Sequence, residues 1–83
     1  MAKRPIHRAR VTFSISKVKS VRQKWEKHSC ITFTTTDDLQ ELNQDDYFIG
    51  KLIISKKKRK SDYNVRVEKV EYIQQFGFTT DRF

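Results

Sequence analysis

A β-rich α+β domain, built on a small, strongly twisted antiparallel sheet or a partly open barrel with one or two short helices, is what this sequence predicts. Three observations carry that expectation. Arg10 to Ser16 and Cys30 to Thr36 each alternate apolar and polar residues, the period of a strand with one buried face. From Tyr63 onward the apolar parity changes once, Val65 and Val67 giving way to Val70 and Tyr72. A one-residue shift near Glu68 and Lys69 marks a β-bulge and the strong coiling that small barrels need. Finally, 83 residues with 36% hydrophobic content hold a single core with no second layer to spare.

The elements follow in order. Val11, Phe13 and Ile15 share one side of the first strand. Val18, Val21, Trp25 and His28 then recur at helical spacing, with most of the intervening lysines and arginines elsewhere and Ser16 placed as an N-cap, which predicts a basic amphipathic helix over 17–28. The competing reading is a long strand that turns near Lys27 to Ser29, since valine, serine and tryptophan all tolerate extension. In the next strand Ile31 and Phe33 are expected inward and the threonines outward. Asp37 to Leu42 suits one or two helical turns capped by Thr36, with acids at the dipole's positive end. Tyr47 to Ser55 is apolar on both parities except at Lys51, as in the central strand of a sheet, with Gly50 allowing a bend. The run Lys56-Lys57-Lys58-Arg59-Lys60 would then be a basic hairpin tip leading into the bulged strand. Residues 1–9 read as a basic flexible arm, 10–75 as the domain, and 76–83 as a tail or a short closing strand.

Charge is unevenly distributed. The net charge is +8 and the sequence pI near 9.9. Residues 1–29 hold nine Lys or Arg against Glu26 alone, 30–50 hold five acids and no base, and 51–62 hold six bases against Asp62. Two basic segments flanking an acidic one imply a bipolar surface, and an acidic partner: nucleic acid, an anionic membrane surface or an acidic protein. No apolar run approaches the roughly 20 residues of a membrane helix, so no membrane role is expected. Met1 to Pro5 has no apolar stretch behind it that would make a secretory signal, and a cytoplasmic location is expected. A lone Cys30 makes no internal disulfide.

Catalysis is not indicated. His7 and His28 have no acid or nucleophile at a recognisable spacing. His28 and Cys30 supply two ligands where structural zinc needs four, and Asp37, Asp38, Asp45 and Asp46 fit no calcium-loop pattern. Isolated Gly50 excludes a glycine-rich phosphate loop. No cofactor, no metal and no enzyme activity are expected.

Basic segments and strand aromatics together predict a non-catalytic nucleic-acid-binding protein, for single-stranded DNA or RNA rather than duplex. Lysines and arginines track the backbone while exposed rings stack bases. Lys56, Lys57, Lys58, Arg59 and Lys60 are the first phosphate contacts, Lys3, Arg4, Arg8 and Arg10 a second arm, and Lys17, Arg22 and Lys24 join that surface if 17–28 is helical. Tyr63, Tyr72, Tyr47 and Trp25 are the stacking candidates, Tyr63 foremost, while Phe13, Phe33 and Phe48 are assigned to the core. Contacts to phosphate imply little sequence preference and steep salt dependence. The alternative is a small regulatory adaptor that binds a protein partner through its polarised charge or an exposed strand edge. The composition fits a monomer or a homodimer.

The order strand, strand or helix, strand, helical turn, then Asp46-Tyr47-Phe48-Ile49-Gly50-Lys51-Leu52 and a basic hairpin resembles the layout of the oligonucleotide-binding five-stranded barrel over residues 10–73. The likeness lies in the order of elements alone, with no motif that transfers binding residues.

Overall fold

The computed structural model describes residues 3–19 and 21–79. Strand β1 runs Arg4–Lys17 and β2 Glu26–Thr34; two short helices follow, α1 at Leu39–Gln44 and α2 at Asp46–Ser55; a 3-10 turn at Lys60–Asp62 leads into β3, Tyr63–Thr79. The sheet is open and antiparallel, in the order β2-β1-β3. A β-rich α+β fold with a small twisted antiparallel sheet is therefore what the chain adopts, in its open form.

Register decides what each face carries, because directly paired residues point to the same side. Phe13 lies opposite His28 and Val67, and Val11 opposite Cys30 and Val70. This side packs on the helices: Val11, Phe13, Ile15 and Val67 form one core with Leu42, Phe48, Ile49, Leu52 and Ile53. On the other side Arg8 lies opposite Phe33 and Gln74, Arg10 opposite Ile31 and Glu71, and Ser14 opposite Lys27 and Arg66. Among the described residues no helix covers that open face.

The expected bulge is present. The register of β1 on β3 shifts between Thr12 and Phe13, skipping Glu68, and again between Arg8 and Ala9 and between Ile6 and His7, skipping Ile73 and Phe76. Each extra residue adds local twist and leaves the bulged strand less suited to accept a further neighbour.

Several expectations are corrected. Tyr47 to Ser55 is helical, because Phe48, Ile49, Leu52 and Ile53 are buried at i, i+1, i+4 and i+5, one stripe of a helix. Asp45 caps it, accepting from the N–H groups of Tyr47 at 3.1 Å and Phe48 at 3.3 Å. Asp38 does the same for α1 with Gln40 and Glu41, so these acids serve the backbone. Among the described residues of 17–28 there is no helix: β1 ends at Lys17 and β2 begins at Glu26. Val18 is half exposed and Val21 fully exposed, so the apolar spacing there has nothing to pack against. In β2 the parity is reversed. Thr34 is buried while Ile31 and Phe33 lie on the open face, 47% and 40% exposed, because pairing with β1 turns Cys30, Thr32 and Thr34 toward the helices.

The ends differ as well. Arg4 to Ala9, expected as a flexible arm, extend the central strand. Phe76 to Thr79 continue β3, and the rest of the expected tail, 80–83, lies outside the described residues.

Candidate nucleic-acid interface

The lysine run is a helix-to-strand connection, not a hairpin tip, because the segment before it is α2. Lys56 is the C-cap. Lys57 follows with φ +59°, its N–H donating to the Ile54 carbonyl at 2.9 Å while Lys58 N–H donates to the Ile53 carbonyl at 3.2 Å. These two bonds satisfy helix-end carbonyls in the Schellman pattern, whose left-handed position usually holds glycine. Among the described residues Lys57 is the one non-glycine with positive φ.

Two basic stretches meet at this end of the sheet. Lys17 pairs with Tyr63, and Val18 N–H donates to the Asp62 carbonyl at 3.0 Å. That tie sets the β1–β2 connection beside the connection carrying Lys56 to Lys60: Lys17, Lys24 and Lys58 line one recess, Lys17 and Lys19 stand by Asp62 and Tyr63, and Arg22 belongs to the same β1–β2 connection. The lysines are not equivalent. Lys56 Nζ donates to the Ser29 carbonyl at 2.8 Å, Lys60 Nζ lies 3.3 Å from Asp46, and Lys58 Nζ sits 4.9 Å from the Tyr63 ring centroid and 3.5 Å from its hydroxyl. No hydrogen bond or ion pair to a described residue holds the side chain of Lys57 or Arg59, both exposed.

Lys3 and Arg4 stand elsewhere. Arg4 opens β1 and Lys17 closes it, 13 steps that at about 3.3 Å each match the molecule's 44 Å long axis. Arg4 is held 2.7 Å from Glu41 of α1, which raises the pKa of its guanidinium through that hydrogen bond and charge. The N-terminal cations and the lysine run therefore occupy opposite ends.

Between those ends lies the open face. Arg8 and Arg10 project there, Phe33 and Phe76 meet edge to face with centroids 5.3 Å apart, and Ile31 is exposed beside them. Nearer the basic end Trp25 lies under the Arg66 guanidinium, 4.6 Å from its ring centroid. Glu68 is the anionic knot of this face: Ser14 Oγ donates to it at 2.8 Å, with Lys27 at 3.5 Å and Arg66 at 3.4 Å. The Ser14 hydrogen bond foremost, with help from Lys27 and Arg66 against partial desolvation, holds the carboxyl below its ordinary value.

Sequence reasoning missed Phe33, Phe76 and Arg66. Phe33 alternates with threonines, and either parity of such a strand is a credible core face until its partner's register is known. The remaining stacking candidates separate. Tyr63 lies at the basic end, Tyr72 stacks flat on His7 at 3.8 Å on the helix side, and Tyr47 is exposed on α2 near Lys51, whose ammonium is 5.6 Å from its ring centroid. His28 lies against Phe13 at 6.0 Å.

Among the described residues no three His, Cys, Asp or Glu come together to hold a metal, and no helix is long and apolar enough to cross a membrane. No protein-family model matches the chain, and comparison with curated proteins and with solved structures gives no match either. What the fold and surface define is a small α+β domain with one basic end and one uncovered sheet face.

Proposed function

We propose that this protein binds single-stranded DNA or RNA without catalysis and with little sequence preference. The observation that carries the reading is the meeting, at one end of the sheet, of Lys17, Lys19 and Lys24 with the connection that carries Lys56 to Lys60. Cations from separate segments held side by side raise the local potential toward a polyanion far more than a single solvated run does. The Schellman position of Lys57 supports it further. A left-handed non-glycine costs roughly 1–2 kcal/mol, and strain of that kind gathers where a side chain has work outside the fold.

Single strands are favoured over duplex by shape and by rings. Among the described residues of 17–24 there is no exposed helix to enter a major groove, and α2 is packed on the sheet. The open face instead offers Trp25 and Arg66 next to the basic end, and Phe33 and Phe76 with Arg8 and Arg10 farther along it, the mixture that stacks bases while neutralising phosphates.

Strand pairing, one of the two routes of the adaptor reading, meets partly occupied edges. Lys56 and Lys51 donate to the Ser29 and Phe33 carbonyls of edge strand β2, and Asn43 occupies Val67 of edge strand β3, which disfavours a continuous ladder through those positions.

Fluorescence anisotropy of labelled single-stranded DNA, RNA and duplex over a salt series tests the proposal. Each single-strand phosphate contact adds about 0.7 to the slope of log K against log salt. The Lys57→Ala/Arg59→Ala double variant is therefore expected to lower that slope by about 1.4. An unchanged slope, or no binding of any polymer at low salt, contradicts it.

A further inference from the structure

Lys17, Lys24, Glu26, Lys58 and Tyr63 line a recess of about 330 Å³ at the basic end. Its walls come from three separated stretches: the last residue of β1, the connection and first residue of β2, and the loop into β3 with that strand's first residue. Three ammonium groups against one carboxylate leave it at a formal +2. Lys58 and Tyr63 are already set against one another, ammonium to hydroxyl at 3.5 Å, and both can donate to an oxyanion. A neighbouring hollow of about 400 Å³ shares Lys17 and Tyr63 but carries Lys19 and Asp62, a formal +1.

That charge discriminates among phosphates. An internal phosphodiester carries one negative charge, whereas a phosphomonoester carries about −1.5 to −2 at neutral pH and three acceptor oxygens. We propose that the recess takes the terminal phosphomonoester of a nucleic-acid strand, so that the protein reads a phosphorylated chain end in addition to the backbone. The inference rests on the nucleic-acid reading above and adds an end preference to it. Lys17, Lys24 and Lys58 hold the monoester oxygens, Tyr63 donates its hydroxyl, and the following nucleotides leave past Trp25, next in sequence to Lys24, toward the open face.

Competition among labelled single-stranded 10-mers ending in 5′-hydroxyl, 5′-phosphate or 3′-phosphate, with adenosine monophosphate and inorganic phosphate as free-anion arms, tests it. One phosphorylated end is expected to bind about tenfold more tightly than the hydroxyl end, the scale of one added charge-assisted contact. That advantage disappears in Lys58→Gln and in Lys24→Gln, two variants in separate connections, while the hydroxyl-ended strand is weakened in each only by the loss of one backbone contact. Equal affinity of all three 10-mers overturns the end preference and leaves backbone binding standing. Adenosine monophosphate or inorganic phosphate binding as tightly as the phosphorylated 10-mer assigns the recess to a free anion and overturns it too. Failure of every 10-mer to bind at low salt overturns the nucleic-acid reading itself.

Discussion

Asn43 on α1 makes two hydrogen bonds to the main chain of Val67, its Nδ2 donating to the Val67 carbonyl at 3.1 Å and its Oδ1 accepting from the Val67 N–H at 2.8 Å. A side-chain amide thus stands in for one residue of a neighbouring strand on the edge of β3, and it does so one residue before the Glu68 bulge. The same contact anchors a six-residue helix too short to be stable on its own.

Replacing Asn43 by alanine leaves both Val67 groups without that partner. At about 1 kcal/mol for each partly buried bond, Asn43→Ala is expected to lower stability by about 2 kcal/mol in urea denaturation. A loss below about 0.5 kcal/mol, the range of ordinary surface substitutions, would show that water replaces the amide without cost.

Two substitutions are expected to stabilise. Gly50 lies inside α2, where an added Cβ meets nothing within 4 Å, so Gly50→Ala should gain about 1 kcal/mol from helix propensity. Lys57→Gly relieves the left-handed position and should also gain about 1 kcal/mol, while weakening binding to single strands. Thermal melts paired with anisotropy check both, and a Lys57→Gly protein that is no more stable than the parent would remove strain from the account.

Strands were more legible than helices for a physical reason. Val11, Phe13 and Ile15 alternate on a strand flanked by two neighbours and covered on that one face by the helices, and the shift from Val67 to Val70 is a bulge whatever surrounds it. Phe48, Ile49, Leu52 and Ile53 make a short apolar run that fits a buried strand or a helix equally well, and Asp45 as an N-cap was the local cue that separates them. Val18, Val21 and Trp25 carry helical spacing without a surface to bury it. The cations of the candidate site were readable as residue types. Their meeting at one end was not, because it depends on Lys17 pairing with Tyr63 across 46 positions of chain.

Acid sensitivity should centre on Glu68. Its carboxyl titrates below the ordinary 4.5 in the folded chain. Its contribution to stability is therefore present above the unfolded carboxylate range and is lost as pH falls through the lower, folded value. Ser14→Ala removes the largest cause, so the Glu68 side-chain resonance should titrate closer to the ordinary value in that variant. An identical titration curve in both proteins would assign the shift to Lys27 and Arg66 instead.

The β2 edge depends on two lysines. Lys51 Nζ donates to the Phe33 carbonyl at 3.0 Å and Lys56 Nζ to the Ser29 carbonyl at 2.8 Å, with partial burial lowering the pKa of the Lys51 ammonium. Charged side chains at an edge oppose pairing with another chain. The Lys51→Ala/Lys56→Ala variant should show concentration-dependent self-association in sedimentation velocity where the parent does so less. Equal sedimentation of the two at all concentrations would mean the lysines do not guard the edge.

The most direct test of the central claim is a backbone amide titration of the ¹⁵N-labelled protein with a single-stranded 10-mer at low salt. Shifts are expected at 17–25 and 56–63, extending over the open face to Arg8, Arg10, Phe33 and Phe76, and fading as salt rises. Shifts confined to α1 and the Arg4–Glu41 end, or no shifts at any strand concentration, would contradict it.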